Sequence, residues 1–179
     1  MDFKSARELL ELCEKHKMRI SDVMRRREIE EGETTGEACD ARMKKAYKIM
    51  GESARGSIEK PGKSMGGLLG GEAARLYGWQ QGEGQNRSLC GPVLGRAVTY
   101  AMAVLETNAS MGLIVAAPTA GSSGIVPGVM LAMEEQFDFT EQEMVQALYN
   151  AGAVGYLAMR NATVAGAVGG CQAEVGVAS

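Results

Sequence analysis

At 179 residues the chain is long enough for one domain with a real core and too short to require two. Charged residues make up 23% and the formal net charge is −3, which leaves no basic footprint for nucleic acid or an anionic membrane. The longest apolar runs, such as GLIVAAP, fall short of the roughly 20 residues that span a bilayer, and the charge-interrupted N-terminus lacks a signal-peptide core, so a cytoplasmic location is expected, with small molecules or other proteins as partners.

The first sixty residues read as helices. Ser5 with Glu8 forms a capping box ahead of Leu9, Leu10 and Cys13 at helical spacing. Ser21 is placed to cap a second helix that carries Val23, Met24 and Ile29 and ends near Gly32. Thr34 with Glu37 repeats the signature before a longer helix through Met43, Tyr47, Met50 and Ala54, whose Lys44, Lys45 and Lys48 read as a solvated face. PGKSMGGLLGG, residues 61–71, is a glycine-rich loop with a task or a helix start at very close quarters. Residues 78–88 read as a polar, irregular, exposed stretch. A helix rich in Ala, Val and Met follows between Leu89 and Thr107, with Pro92 in its first turn.

Residues 108–128, NASMGLIVAAPTAGSSGIVPG, are the main expected internal irregularity, and Thr140 with Glu143 caps another helix through Val145 and Leu148. Period-two alternation is absent apart from LIVAA, and one short run builds no sheet, so the fold class is all-α: a single helical domain with glycine-rich loops lining the active site. With 24 Gly and 5% aromatic residues, the interior is expected to pack from Ala, Leu, Val and Met. The last residues are small and apolar, without a polar tail or cap. They read as the middle of a buried helix, with further chain expected after Ser179.

Several patterns carry chemistry or imitate it. SIEKPGKS, residues 57–64, approximates the phosphate-cradling G-x-x-x-x-G-K-S. Ser57 stands where the first glycine is required, and the segment continues a helix instead of following a buried strand. APTAGSSG, residues 117–124, is more informative. Thr119, Ser122 and Ser123 offer hydroxyls, Gly121 and Gly124 offer backbone N–H groups, and a helix follows, a combination that suits an anion such as a carboxylate. An ordinary tight loop between helices accounts for the same pattern. The four cysteines, Cys13, Cys39, Cys90 and Cys171, form no CxxC pair, and each defaults to a buried free thiol. Cys171 differs in its setting, GGCQAEVG, where glycines leave room for something bulky against the sulfur. His16, the only histidine, reads as a surface residue. The N-x-S/T matches at Asn86, Asn108 and Asn161 matter only in a secreted chain.

SMGGLLGGEAARL at residues 64–76, NASMGLIVAAPTAGSSGIVPG at 108–128 and GGCQAEVGVAS at 169–179 together resemble the alpha chain of iron-sulfur L-serine dehydratases over nearly the whole sequence. The resemblance implies an all-helical catalytic domain over residues 1–179 with its C-terminal part missing. It also implies a four-iron four-sulfur cluster on three cysteines with one iron left open as a Lewis acid. Cys171 matches one of those ligands, and the other two are expected beyond Ser179, because Cys13, Cys39 and Cys90 match none of them.

The implied reaction removes water from L-serine to give pyruvate and ammonia. Its substrate carboxylate is placed at Thr119, Gly121, Ser122, Ser123 and Gly124 with help from Ser64, and Asn108 and Ser110 are weaker candidates. No base is identifiable. A beta chain on a separate polypeptide is the expected partner, and a homo-oligomer is compatible with the sequence. Two other readings stand beside it: a related cysteine desulfidase, and a non-catalytic interaction module in this truncated form.

Overall fold

Helix boundaries follow from local capping chemistry. In the computed structural model, which describes residues 1–82 and 87–179, α1 (Ala6–His16) begins where Ser5 Oγ accepts the Glu8 amide at 3.2 Å. α2 (Ile20–Glu31) is capped by Arg19 rather than by Ser21: Asp22 Oδ2 accepts the Arg19 amide at 3.2 Å, and Ser21 lies buried inside the first turn. α3 (Gly36–Glu59) is capped by Thr35, whose Oγ1 accepts the Ala38 amide at 3.2 Å. The neighbouring Thr34 belongs to the preceding turn, where its amide donates to the Ile29 carbonyl at 3.2 Å. α3 runs through Glu59, so the phosphate-loop look-alike starts on a helix.

α4 (Glu72–Gln81) takes up part of the stretch expected to be irregular. Tertiary bonds hold its end: Gln80 Nε2 donates to the Gly95 carbonyl at 3.0 Å, and Thr99 Oγ1 donates to Gln80 Oε1 at 3.1 Å. The remainder of that stretch, including Asn86, lies partly outside the described residues. α5 (Gly91–Ala109) carries Pro92 in its first turn, as expected. α6 (Ile125–Phe137) follows the 117–124 loop, and α7 (Glu141–Asn161) opens on the Thr140/Glu143 capping box. A single turn, α8 (Gly166–Gly169), and the short α9 (Cys171–Ala178) complete the order. No strand occurs among the described residues, and LIVAA is neither helix nor strand, so the all-α expectation holds. No described helix is long and apolar enough to cross a membrane.

Two apolar clusters share α7. Tyr47 and Met50 from α3, Tyr100 and Val104 from α5, Leu131 from α6 and Leu148 from α7 form the larger one. Phe3, Leu9, Val23 and Met24 pack on Val145, Tyr149 and Ala153 of α7 in the other. Beside the expected Ala, Leu, Val and Met, four aromatic residues enter the core: Phe3, Tyr47, Tyr100 and Tyr149 are buried, whereas Trp79, Phe137 and Phe139 are exposed. Burial raises the Tyr149 phenol to about 12, with the adjacent Asp40 carboxylate adding to the effect.

Small residues matter where α5 crosses α6. A Cβ at Gly124 would run into the Ala101 carbonyl oxygen, and one at Gly128 would lie 2.6 Å from the Ala97 carbonyl oxygen. That close approach brings the start of α6, with the loop before it, against the middle of α5.

Candidate functional site

Residues 110–124 leave α5, pass through an irregular stretch at Leu113 to Ala116 and bend into the hydroxyl-rich loop. Ser122 Oγ donates to the Ala117 carbonyl at 3.1 Å and accepts the Thr119 amide at 3.4 Å, with Thr119 Oγ1 3.3 Å away. Ser123 Oγ donates to the Ala120 carbonyl at 2.8 Å. Ser122, Ser123 and Gly124 are buried, and both serine hydroxyls are engaged in shaping the loop. Thr119 is half-buried and Gly121 is exposed, so these two form the accessible edge.

Asn108, at the end of α5, joins this loop by donating Nδ2 to the Ala120 carbonyl at 3.2 Å. One residue further on, the Ala109 carbonyl accepts the Met65 amide at 3.3 Å, which ties in the glycine-rich loop. There Ser64 closes a tight reversal: its amide donates to the Leu69 carbonyl at 2.9 Å, and its Oγ accepts the Leu69 amide at 3.1 Å. Gly70 has a φ of 144°, and a Cβ there would collide with the Gly62 carbonyl and lie 3.1 Å from Lys63 Cα, so only glycine permits this reversal.

The far end of the loop meets α9. Glu174 Oε1 accepts the Gly166 amide at 3.2 Å, and Glu174 Oε2 lies 2.7 Å from where a Gly121 Cβ would be. Cys171 opens the same helix with its sulfur exposed, one turn from Glu174. Contacts therefore run unbroken from the Ser64 loop through Asn108 and residues 117–124 to the helix that carries Cys171. No hydrogen bond joins Ser64 to Thr119.

Other features lie apart. Cys90 is exposed at the start of α5, Cys13 is half-buried and Cys39 is buried beside Arg42, whose Nη2 is 3.4 Å from its sulfur. Burial as the default thus holds for Cys39 alone. His16 is exposed, as expected. Lys44 pairs with Glu141 at 3.1 Å and Lys48 with Glu52 at 3.7 Å on an exposed face, which accounts for the lysine run without a ligand. An apolar cavity of about 400 Å³ lies under the loop, lined by Met43, Met50, Val126 and Leu148 with Pro118 and Val177. Glu28, Tyr149 and Tyr156 bring the polar groups to its lining, which is otherwise apolar or small.

Two carboxylates escaped the sequence reading. Glu174 sits within GGCQAEVG, where its position beside a candidate ligand was the available signal. Glu106 is buried on α5, and its carboxylate accepts amides from the start of α4.

The profile of the serine dehydratase alpha chain family matches residues 15–179, and the chain belongs to that family. It is 40% identical over 177 residues to the probable L-serine dehydratase alpha chain of Bacillus subtilis (strain 168), covering 99% of this chain and 58% of that protein. To the L-serine dehydratase alpha chain of Peptoniphilus asaccharolyticus it is 34% identical over 175 residues, 98% of this chain and 59% of the relative. It also matches L-serine dehydratase TdcG of Escherichia coli (strain K12), at 33% identity over 180 residues, 99% of this chain and 39% of that protein. The chain thus spans less than two thirds of each of these relatives.

Proposed function

We propose that residues 1–179 are part of the catalytic domain of an L-serine dehydratase, which eliminates water from L-serine to give pyruvate and ammonia. The observation that carries this reading is the convergence of Asn108, the 117–124 loop and the Cys171 helix at one polar edge, in a chain whose relatives bear that name.

The residues take distinct parts. Thr119 holds the serine carboxylate, and the exposed backbone at Gly121, beside the Glu174 carboxylate, lines the same edge, with Ser64 and Asn108 fixing the flanking segments. Ser122, Ser123 and Gly124 act from within, by giving the loop its shape before substrate arrives. Cys171 contributes one thiolate to a four-iron four-sulfur cluster. Such a cluster requires three or four thiolates. No group of three His, Cys, Asp or Glu able to hold a metal occurs among the described residues, so the ligand set is incomplete among them. The base that removes the α proton has no assignment among these residues, and a beta chain is the proposed partner and a source for it. A cytoplasmic location suits this chemistry.

The test is a chimera in which this chain replaces the matching segment of the Bacillus subtilis relative. Anaerobically reconstituted with iron and sulfide and supplied with the relative's beta chain, it should release pyruvate from L-serine in preference to L-cysteine. Preference for L-cysteine would assign a desulfidase, and a folded chimera releasing pyruvate from neither would leave a non-catalytic module.

A further inference from the structure

α9 is eight residues long and has no buried residue, and its apolar contacts lie at its far end, where Val177 and Ala178 line the cavity, so apolar packing holds that end rather than the end that carries Cys171. What reaches across is Glu174. One of its oxygens takes the Gly166 amide at 3.2 Å, and the other fills the space that a side chain at residue 121 would need. We propose that Glu174 is a positioning residue for Cys171, a carboxylate clasp that holds the helix start bearing the sulfur against the 117–124 loop. This deepens the reading of Cys171 as a cluster ligand and rests on it for its purpose, although the clasp itself is observable without any cluster.

The geometry sets the requirements on both sides. Residues three apart on a helix share a face with Cβ atoms about 5–6 Å apart, so anchoring residue 174 anchors residue 171. On the loop side, a Cβ at residue 121 would sit 2.7 Å from Glu174 Oε2, closer than such atoms pack, and Thr119 Oγ1 lies 3.8 Å from the same point. Any side chain at 121 therefore displaces the Glu174 carboxylate. Losing Glu174 and filling Gly121 break one contact, so their effects should not add.

The rate at which Cys171 is alkylated by iodoacetamide in the 179-residue chain, followed by peptide mass spectrometry, tests this. Cys90, also exposed at the start of a helix, serves as the reference on the same molecule. Glu174→Ala and Gly121→Ala should each change the Cys171 rate by at least about threefold while Cys90 is unaffected, and the double variant should do no more than either. Glu174→Gln keeps an oxygen for the Gly166 amide while removing the charge, and should stay near the parent rate. An unchanged Cys171 rate in Glu174→Ala, an equal change at Cys90, or a Glu174→Gln variant that behaves like Glu174→Ala would each overturn the clasp. If the clasp passes while a Cys171→Ala chimera keeps its full cluster, the ligand reading fails alone. If the clasp fails while that chimera loses its cluster, the ligand reading stands without it.

Discussion

Glu106 on α5 caps Ala73 on α4 across 33 residues of sequence: Glu106 Oε1 accepts the Ala73 amide at 2.8 Å, and Oε2 takes the Gly71 amide at 3.0 Å. The carboxylate is buried and sits at the positive end of the helix, so it satisfies two amides that have no partner within α4. It also fixes where the glycine-rich loop of Ser64 ends. Glu106→Ala should cost about 2–4 kcal/mol in urea unfolding, since it strands two amides in a dry site. Glu106→Gln should cost less. A loss below about 0.5 kcal/mol in the alanine variant would contradict the buried-cap account.

Two glycines should respond in opposite directions to alanine. Gly128→Ala forces a methyl toward the Ala97 carbonyl and the Ala101 backbone and should destabilise by about 1–3 kcal/mol. Gly56 lies exposed in the last turn of α3 with nothing within 4 Å of an added Cβ, so Gly56→Ala should stabilise by up to roughly 0.5–1 kcal/mol. Thermal unfolding of the two variants side by side decides it. A shift of the same sign in both would refute the packing argument for the α5–α6 crossing.

Acid sensitivity should have a contribution from the N-terminus. Asp2 accepts from Arg27 Nε at 3.0 Å, from the Tyr156 hydroxyl at 2.9 Å and from Arg160 Nη1 at 3.3 Å. The Arg27 bond leads in lowering its carboxyl from 3.8 to about 2. A carboxyl with a lowered folded-state pKa favours the folded state when ionised. This contribution is therefore complete above pH ~4 and lost as pH falls toward ~2. The side chain is more than a third exposed, so the effect should stay below about 1 kcal/mol. Asp2→Asn should lower stability at pH 6 and converge with the parent near pH 2. An undiminished gap at pH 2 would exclude ionisation as its origin.

Capping chemistry was legible where one candidate stood alone. Thr140 with Glu143 forms the expected box, and Ser5 caps α1, while Glu8 turns back to the Lys4 amide. Where two neighbours competed, tertiary and preceding-turn bonds decided: Thr35 won over Thr34, and Arg19 with Asp22 displaced Ser21. The end of α4 was hidden because Gln80 is held by Gly95 and Thr99, partners that no local pattern displays. In the candidate site, the sequence located the hydroxyl loop and Cys171 but not the division of labour within the loop. Which hydroxyls turn inward depends on backbone carbonyls brought close only by the folded loop. Glu106 and Glu174 went unread for the same reason, because each finds its acceptor role through distant amides.

Cys171 is the residue on which the dehydratase reading turns, and the chimera with the Bacillus subtilis relative permits its replacement without touching the loop or the core. Iron and acid-labile sulfide per chain, measured after anaerobic reconstitution together with pyruvate release from L-serine, should fall to near background in Cys171→Ala, whereas Cys90→Ala should match the parent in both. A Cys171→Ala chimera that retains parental iron, sulfide and pyruvate release would contradict the assignment of this chain's thiolate to the cluster.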